Sequence, residues 1–149
     1  MNAGLKEEDA RDQLCVFVYG TLKPGGRYHE RYCGAYTPKL IPAAVRGQLF
    51  DFPHLGYPAM ADGERWVKGY LLVFSQPPAV CATLLGELDR LEGYQPNSSV
   101  MDSEYERCWL DVFDRSGRFL QQAWVYRMAM DAIAAAGGIP IPHGNWPVS

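Results

Sequence analysis

Leu14-Cys15-Val16-Phe17-Val18-Tyr19-Gly20-Thr21-Leu22-Lys23-Pro24-Gly25-Gly26 joins an unbroken apolar run to a glycine-punctuated loop. The run Leu14–Tyr19 reads as a buried strand. A strand that ends at once in such a loop places backbone N–H groups at the mouth of a pocket, where successive amides can form an anion-binding nest. Outward from it, Ala43–Phe50 alternates (Val45, Gly47 and Leu49 against Arg46 and Gln48), which predicts a strand. Pro53, Gly56 and Pro58 predict that Asp51–Asp62 is mostly loop, and Trp66–Phe74 predicts the next strand.

Ser75, Pro77 and Pro78 mark a helix start, because proline is tolerated in the first turn. Val80, Leu84, Leu88 and Leu91 then recur at helical spacing with Leu85 beside them, and Gly93 stands where a helix terminates. Tyr105–Phe113 and Arg118–Arg127 read as a hairpin about the turn Asp114–Gly117. A short helical turn through Tyr28–Cys33, a weak helical stretch near the end and a Pro/Gly-rich tail complete the chain. Strands outnumber helices. The pattern predicts an α+β domain: a mostly antiparallel, curled sheet or small β-barrel with one main amphipathic helix. Neither a repeat nor a linker divides the 149 residues, so a single domain over 1–149 is expected, with 1–13 polar and frayed.

The composition narrows the function classes. A net charge of −3 with scattered Lys and Arg gives no basic face for nucleic acid. Lys6, Glu7, Glu8, Asp9 and Arg11 make the N-terminus too charged for a signal peptide, and no apolar stretch nears the roughly 20 residues of a spanning helix. No membrane partner is expected, and a cytoplasmic location is. Cys15, Cys33, Cys81 and Cys108 form no C-x-x-C pair and read as small buried hydrophobes in a reduced compartment. His29, His54 and His143 are too far apart for a ligand cluster on one element, so no metal site is expected.

The glycine loop has three readings. Gly20 and Gly25 have the spacing of G-x-x-x-x-G-K-S/T, but Gly26 stands where the lysine is needed and Arg27 where the hydroxyl is needed. The dinucleotide fingerprint G-x-G-x-x-G fails as well. A tight structural turn remains, and so does a small-molecule cradle in which Gly20 lets a ligand approach the main chain.

Val18–Gly25 with His29 closely resembles the YGTL/YGSL signature of the γ-glutamylcyclotransferase-like superfamily, in its AIG2-like and γ-glutamylamine cyclotransferase branches. Leu88-Asp89-Arg90-Leu91-Glu92-Gly93-Tyr94-Gln95-Pro96 resembles that family's L-D-x-x-E-G-Y-x-P segment. Tyr105-Glu106-Arg107 and Ala123-Trp124-Val125-Tyr126 give a looser third match. The resemblance implies a γ-glutamylcyclotransferase-like fold, a substrate loop at Tyr19, Gly20, Thr21 and Leu22, a pocket contribution from Tyr105, and Glu92 as catalytic acid/base. The implied enzyme, of transferase or lyase type, closes an L-γ-glutamyl amide to 5-oxoproline by intramolecular aminolysis and releases the amine. It needs no cofactor. The partner is a small γ-glutamyl substrate, and a monomer or weak dimer is expected. The alternative is a non-catalytic protein that binds a carboxylate-bearing ligand in the same pocket.

Read without the family, Glu92 closes the amphipathic helix at the end that carries partial negative charge. A carboxylate there is disfavoured by on the order of 0.3–1 kcal/mol, which favours proton uptake and suits a base working near neutral pH. Glu87 is expected to face solvent and Asp89 to satisfy backbone or an arginine. The walls that meet the leaving amine are expected in Phe52, His54, Tyr57 and Pro58 and in the segment after Glu92. In His143-Gly144-Asn145-Trp146, Trp146 is expected to anchor the tail by packing.

Overall fold

The computed structural model describes residues 13–93 and 105–147. The frayed start expected for 1–13 lies almost wholly outside these residues. So does the expected wall beyond Gly93, with Tyr94, Gln95 and Pro96 of the second motif.

The strands are β1 (Leu14–Val18), β2 (Lys39–Phe52), β3 (Tyr57–Phe74), β4 (Glu106–Phe113), β5 (Phe119–Arg127) and the short β6 (Ile139–Pro140). The helices are α1 (His29–Cys33), α2 (Pro78–Leu91) and α3 (Met130–Ala135), with a 3-10 turn at Gly34–Tyr36. The sheet order is β3-β1-β5-β4-β2-β6, and β2 also pairs with β3, so five strands close into a barrel with β6 appended to β2. Closure leaves few sheet edges. Among the described residues, only β1–β5 is parallel; the other pairings are antiparallel. This is the α+β, mostly antiparallel barrel that the strand pattern predicts.

The alternation of each strand sorts the apolar residues into two layers. Cys15 and Phe17 of β1, with Tyr19 just after it, join Val45, Met60, Val67, Val112 and Val125 in one cluster. All five barrel strands contribute to it, so it fills the barrel interior. Leu14, Val16 and Val18 point the other way and join Leu84 and Leu88 of α2 and Ile133 of α3. β1 is therefore buried on both faces, as its unbroken apolar run predicts.

Three expectations are corrected. Asp51–Asp62 is not mostly loop: β2 runs to Phe52, β3 begins at Tyr57, and only the tight turn between them is irregular. Pro58 is accommodated near the start of its strand, where proline is tolerated. The β2–β3 ladder shifts between Gly47 and Gln48, whose partners are Arg65 and Ala61, so β3 bulges across 62–64. Second, α2 buries Cys81, Leu84, Leu88 and Asp89, while Val80 and Leu91 are only half-buried. The inward face is rotated from the predicted stripe because a charged residue, Asp89, lies on it. Third, Cys108 is half-exposed, unlike Cys15, Cys33 and Cys81. The β6 strand is not evident from the tail's composition. The hairpin turn is as expected: Gly117 N–H donates to the Asp114 carbonyl at 3.0 Å, and Asp114 Oδ1 accepts from Ser116 and Arg118.

Candidate active site

The loop after β1 is two turns meeting at Lys23. Its amide donates to the Gly20 carbonyl at 3.0 Å, and its carbonyl accepts from Gly26 N–H at 2.7 Å. Tyr28 N–H then donates to the Thr21 carbonyl at 2.9 Å. His29 braces the centre of the loop: its Nδ1 lies 2.9 Å from the Leu22 carbonyl, which fixes that nitrogen as the protonated one. Among the described residues, no protein acceptor takes the amides of Thr21 or Leu22. These are the free donors that an anion or a carbonyl oxygen needs.

Gly20 also has a packing reason to be glycine. A Cβ there would stand 2.8 Å from Pro58 Cγ and 2.9 Å from Cδ. The proline ring of β3 fills the space a side chain would take.

Opposite the loop, α2 ends at Leu91 with Glu92 as its C-cap. Glu92 N–H donates to the Leu88 carbonyl at 3.0 Å, and Gly93 follows at φ 71. One turn earlier Asp89 is 8% exposed, rare for a carboxylate unless it is paired. Its Oδ1 accepts from the Tyr126 hydroxyl at 2.6 Å, and its Oδ2 lies 2.8 Å from Arg107 Nη1. The Arg107 guanidinium stacks 4.5 Å from the centre of the Trp124 ring. Strands β4 and β5 thus hold the helix end from which Glu92 projects.

Tyr19, Gly20, Thr21, Leu22, Tyr105 and Glu92, all singled out from sequence, line one cavity of about 160 Å³. Of the four expected wall residues, Tyr57 and Pro58 line it too. Phe52 and His54 do not: Phe52 is fully buried and His54 is exposed on the turn.

The tyrosine hydroxyls are engaged within the protein. Tyr19 Oη donates to the Tyr126 carbonyl at 2.7 Å and accepts from Met60 N–H at 3.2 Å. Burial holds its pKa well above that of free tyrosine, and the nearby Glu92 charge adds to this. Tyr105 Oη donates to the Pro58 carbonyl at 2.6 Å. Burial, then the bond to Asp89, raises the Tyr126 pKa as well. These tyrosines therefore give the cavity aromatic walls, with the hydroxyls committed to protein acceptors.

Residues 16–148 match the family described as Gamma-glutamyl cyclotransferase, AIG2-like. The chain belongs to that family. The same fold appears in an AIG2-like protein from Mus musculus, with a TM-score of 0.61 at 19% identity over 91% of this chain and 88% of that one. YtfP from Escherichia coli gives a TM-score of 0.55 at 25% identity over 89% and 96% of the two chains. YkqA from Bacillus subtilis gives 0.59 at 20% identity over 90% of this chain, which spans only 39% of that longer protein. The chain has no match among the curated proteins. Among the described residues, no helix is long and apolar enough to cross a membrane.

Within this AIG2-like site, sequence reasoning gave Tyr28 and Tyr126 no role, although both line the cavity. For Tyr126 the signal was present. It sits two residues beyond Trp124 on the face of β5 that packs against α2, in the looser third motif. For Tyr28 no periodicity could have shown it, since it lies in a loop.

Proposed function

We propose that this chain is a γ-glutamyl cyclotransferase that converts an L-γ-glutamyl amide to 5-oxoproline and a free amine. One observation carries the reading: Glu92 lines the same small, aromatic-walled cavity as Thr21 and Leu22, whose amides have no protein acceptor among the described residues. The family membership supplies the reaction class.

In this reading the substrate folds so that its α-amino nitrogen meets its own γ-carbonyl carbon. Well-oriented intramolecular attack can remove roughly 7–11 kcal/mol from a barrier. Glu92 takes a proton from the α-ammonium, and the freed amine forms the ring C–N bond. The developing oxyanion, or the α-carboxylate, accepts from the loop amides. The ring nitrogen sheds its second proton as the original amide C–N bond breaks, and the leaving nitrogen takes up two protons, one of them returned by Glu92, and departs as an ammonium. One carboxylate serves as base and then as acid, water is not consumed, and no redox partner enters. Tyr57 and Pro58 form the wall that meets the leaving amine.

The test is incubation with a panel of γ-glutamyl dipeptides and γ-glutamylamines, scored for 5-oxoproline, beside Glu92→Gln. Release by the native protein and a loss of at least about 100-fold in Glu92→Gln is expected, the size of a general acid/base contribution. No release from any compound, with ligand binding unchanged in Glu92→Gln, would leave a binding protein instead.

A further inference from the structure

Lys23 follows Leu22 directly, yet it does not line the cavity. Its side chain runs the other way and the residue is only 5% exposed. The ammonium donates to Asn145 Oδ1 at 3.3 Å and to the Trp146 carbonyl. Both acceptors belong to the tail after β6. Both are neutral, and burial, with repulsion from Arg115, lowers the Lys23 pKa. A buried ammonium is costly unless it is hydrogen-bonded, so these tail acceptors hold it in place.

The tail is itself seated firmly. Trp146 Nε1 donates to Asp51 Oδ1 at 2.9 Å, and its ring packs against the barrel-interior cluster. The Gly144 carbonyl accepts from Lys68 N–H at 2.7 Å. A Cβ at Gly144 would stand 1.9 Å from the Trp66 carbonyl oxygen, and its φ is 74. The tail therefore lies directly on the main chain of β3.

Lys23 is also where the two turns of the loop meet, through its amide to Gly20 and its carbonyl from Gly26. Fixing its side chain fixes both turns, and with them the directions of the Thr21 and Leu22 amides.

We propose that Gly144–Trp146 is a clasp that positions the Gly20–Leu22 loop through the Lys23 ammonium. Its functional consequence rests on the reading of that loop as the substrate cradle. Lys23 is then a positioning residue, and the cation within the glycine loop serves the tail rather than the ligand.

The test compares the native protein with Lys23→Met, Trp146→Ala and Asn145→Ala. Lys23→Met keeps the apolar stem and removes the ammonium. Asn145→Ala removes one acceptor at an exposed position and serves where Trp146→Ala does not fold. Amide hydrogen exchange at position 23, Gly26 and Tyr28, the donors that close the turns of the loop, followed by NMR, is expected to quicken about tenfold in the variants, while amides within α2 keep their native rates. For a γ-glutamyl compound that the native protein turns over, kcat/KM per folded molecule is expected to fall about tenfold, through KM where the loop amides hold the α-carboxylate and through kcat where they hold the developing oxyanion. A merely structural role would lower the active fraction and leave kcat/KM per folded molecule unchanged. Native exchange at position 23, Gly26 and Tyr28 in all the folded variants would overturn the clasp. If the native protein releases no 5-oxoproline, the cyclotransferase reading falls, and the exchange comparison still decides the clasp.

Discussion

The Tyr126 hydroxyl donates to Asp89 Oδ1 across 2.6 Å, and both residues are buried. The bond ties β5 to the last turn of α2, three residues before Glu92. A helix end held this way keeps its C-cap residue in register with the loop across the cavity. Positioning of this kind matters because small misplacements of a reacting group cost rate steeply.

Tyr126→Phe keeps the ring in the cavity wall and removes the donor to Asp89. Asp89 retains Arg107, but one buried carboxylate oxygen loses its shortest bond. A stability loss of about 1–3 kcal/mol is expected in urea denaturation. In the cyclotransferase reading kcat falls about tenfold as Glu92 loosens. An unchanged urea midpoint would show that Arg107 alone suffices.

Tyr19→Phe separates wall from staple. The Tyr19 hydroxyl serves the Tyr126 carbonyl and the Met60 amide, so its removal leaves two buried backbone groups unmet. The expected loss is about 2–4 kcal/mol of stability. Turnover by the folded fraction is expected to stay within about threefold. A loss of 100-fold or more in kcat without a stability change would instead make the hydroxyl part of the chemistry.

Gly20→Ala brings a methyl to 2.8 Å from Pro58 Cγ. Pro58 lies early in β3 and its carbonyl is held by Tyr105, so the contact is not easily relieved. Overpacking of this sort costs about 1–3 kcal/mol. The displaced proline narrows the cavity, and KM for any accepted γ-glutamyl compound is expected to rise. Thermal melts and a substrate titration check both effects.

Alkaline pH should destabilise the fold. Burial, with Glu30 adding, pushes the Cys33 thiol up to about 12 from an ordinary 9.0, and burial raises Cys15, Tyr19 and Tyr126 also. Above pH 9 the unfolded chain loses protons that the folded chain keeps, so stability falls as pH rises toward 12. Cys33 alone contributes a fall of about 1 kcal/mol between pH 9 and 10. Lys23 acts oppositely: its lowered pKa means that rising pH relieves the cost of burying its charge. Urea midpoints at pH 9 and 10, with Cys33→Ala beside the native chain, measure the slope, which the variant is expected to flatten.

Much of this was legible in the chain because it is encoded locally. The apolar run of β1, the alternation of β4 and β5, and the helical spacing of Leu84 and Leu88 each need only a few neighbouring residues to be read. The same holds for the two motifs that pair Tyr19–Leu22 with Glu92. Where local cues conflicted, the reading failed. Pro53, Gly56 and Pro58 signal a loop, yet the β2–β3 ladder runs close to both ends of that segment because pairing with the facing strand outweighs the turn propensity.

The sequence by itself determined that the protein is a strand-rich α+β domain of the γ-glutamyl cyclotransferase, AIG2-like kind, and named as site residues six of those that line its cavity. Only the tertiary structure decided what those residues are occupied with. It sets the Tyr19 hydroxyl against main chain, Pro58 against Gly20, Asp89 between Tyr126 and Arg107, and Lys23 against the tail. Most of these contacts join residues far apart in the chain. They arise from closing the barrel, and no local periodicity encodes which buried donor will meet which acceptor once it closes.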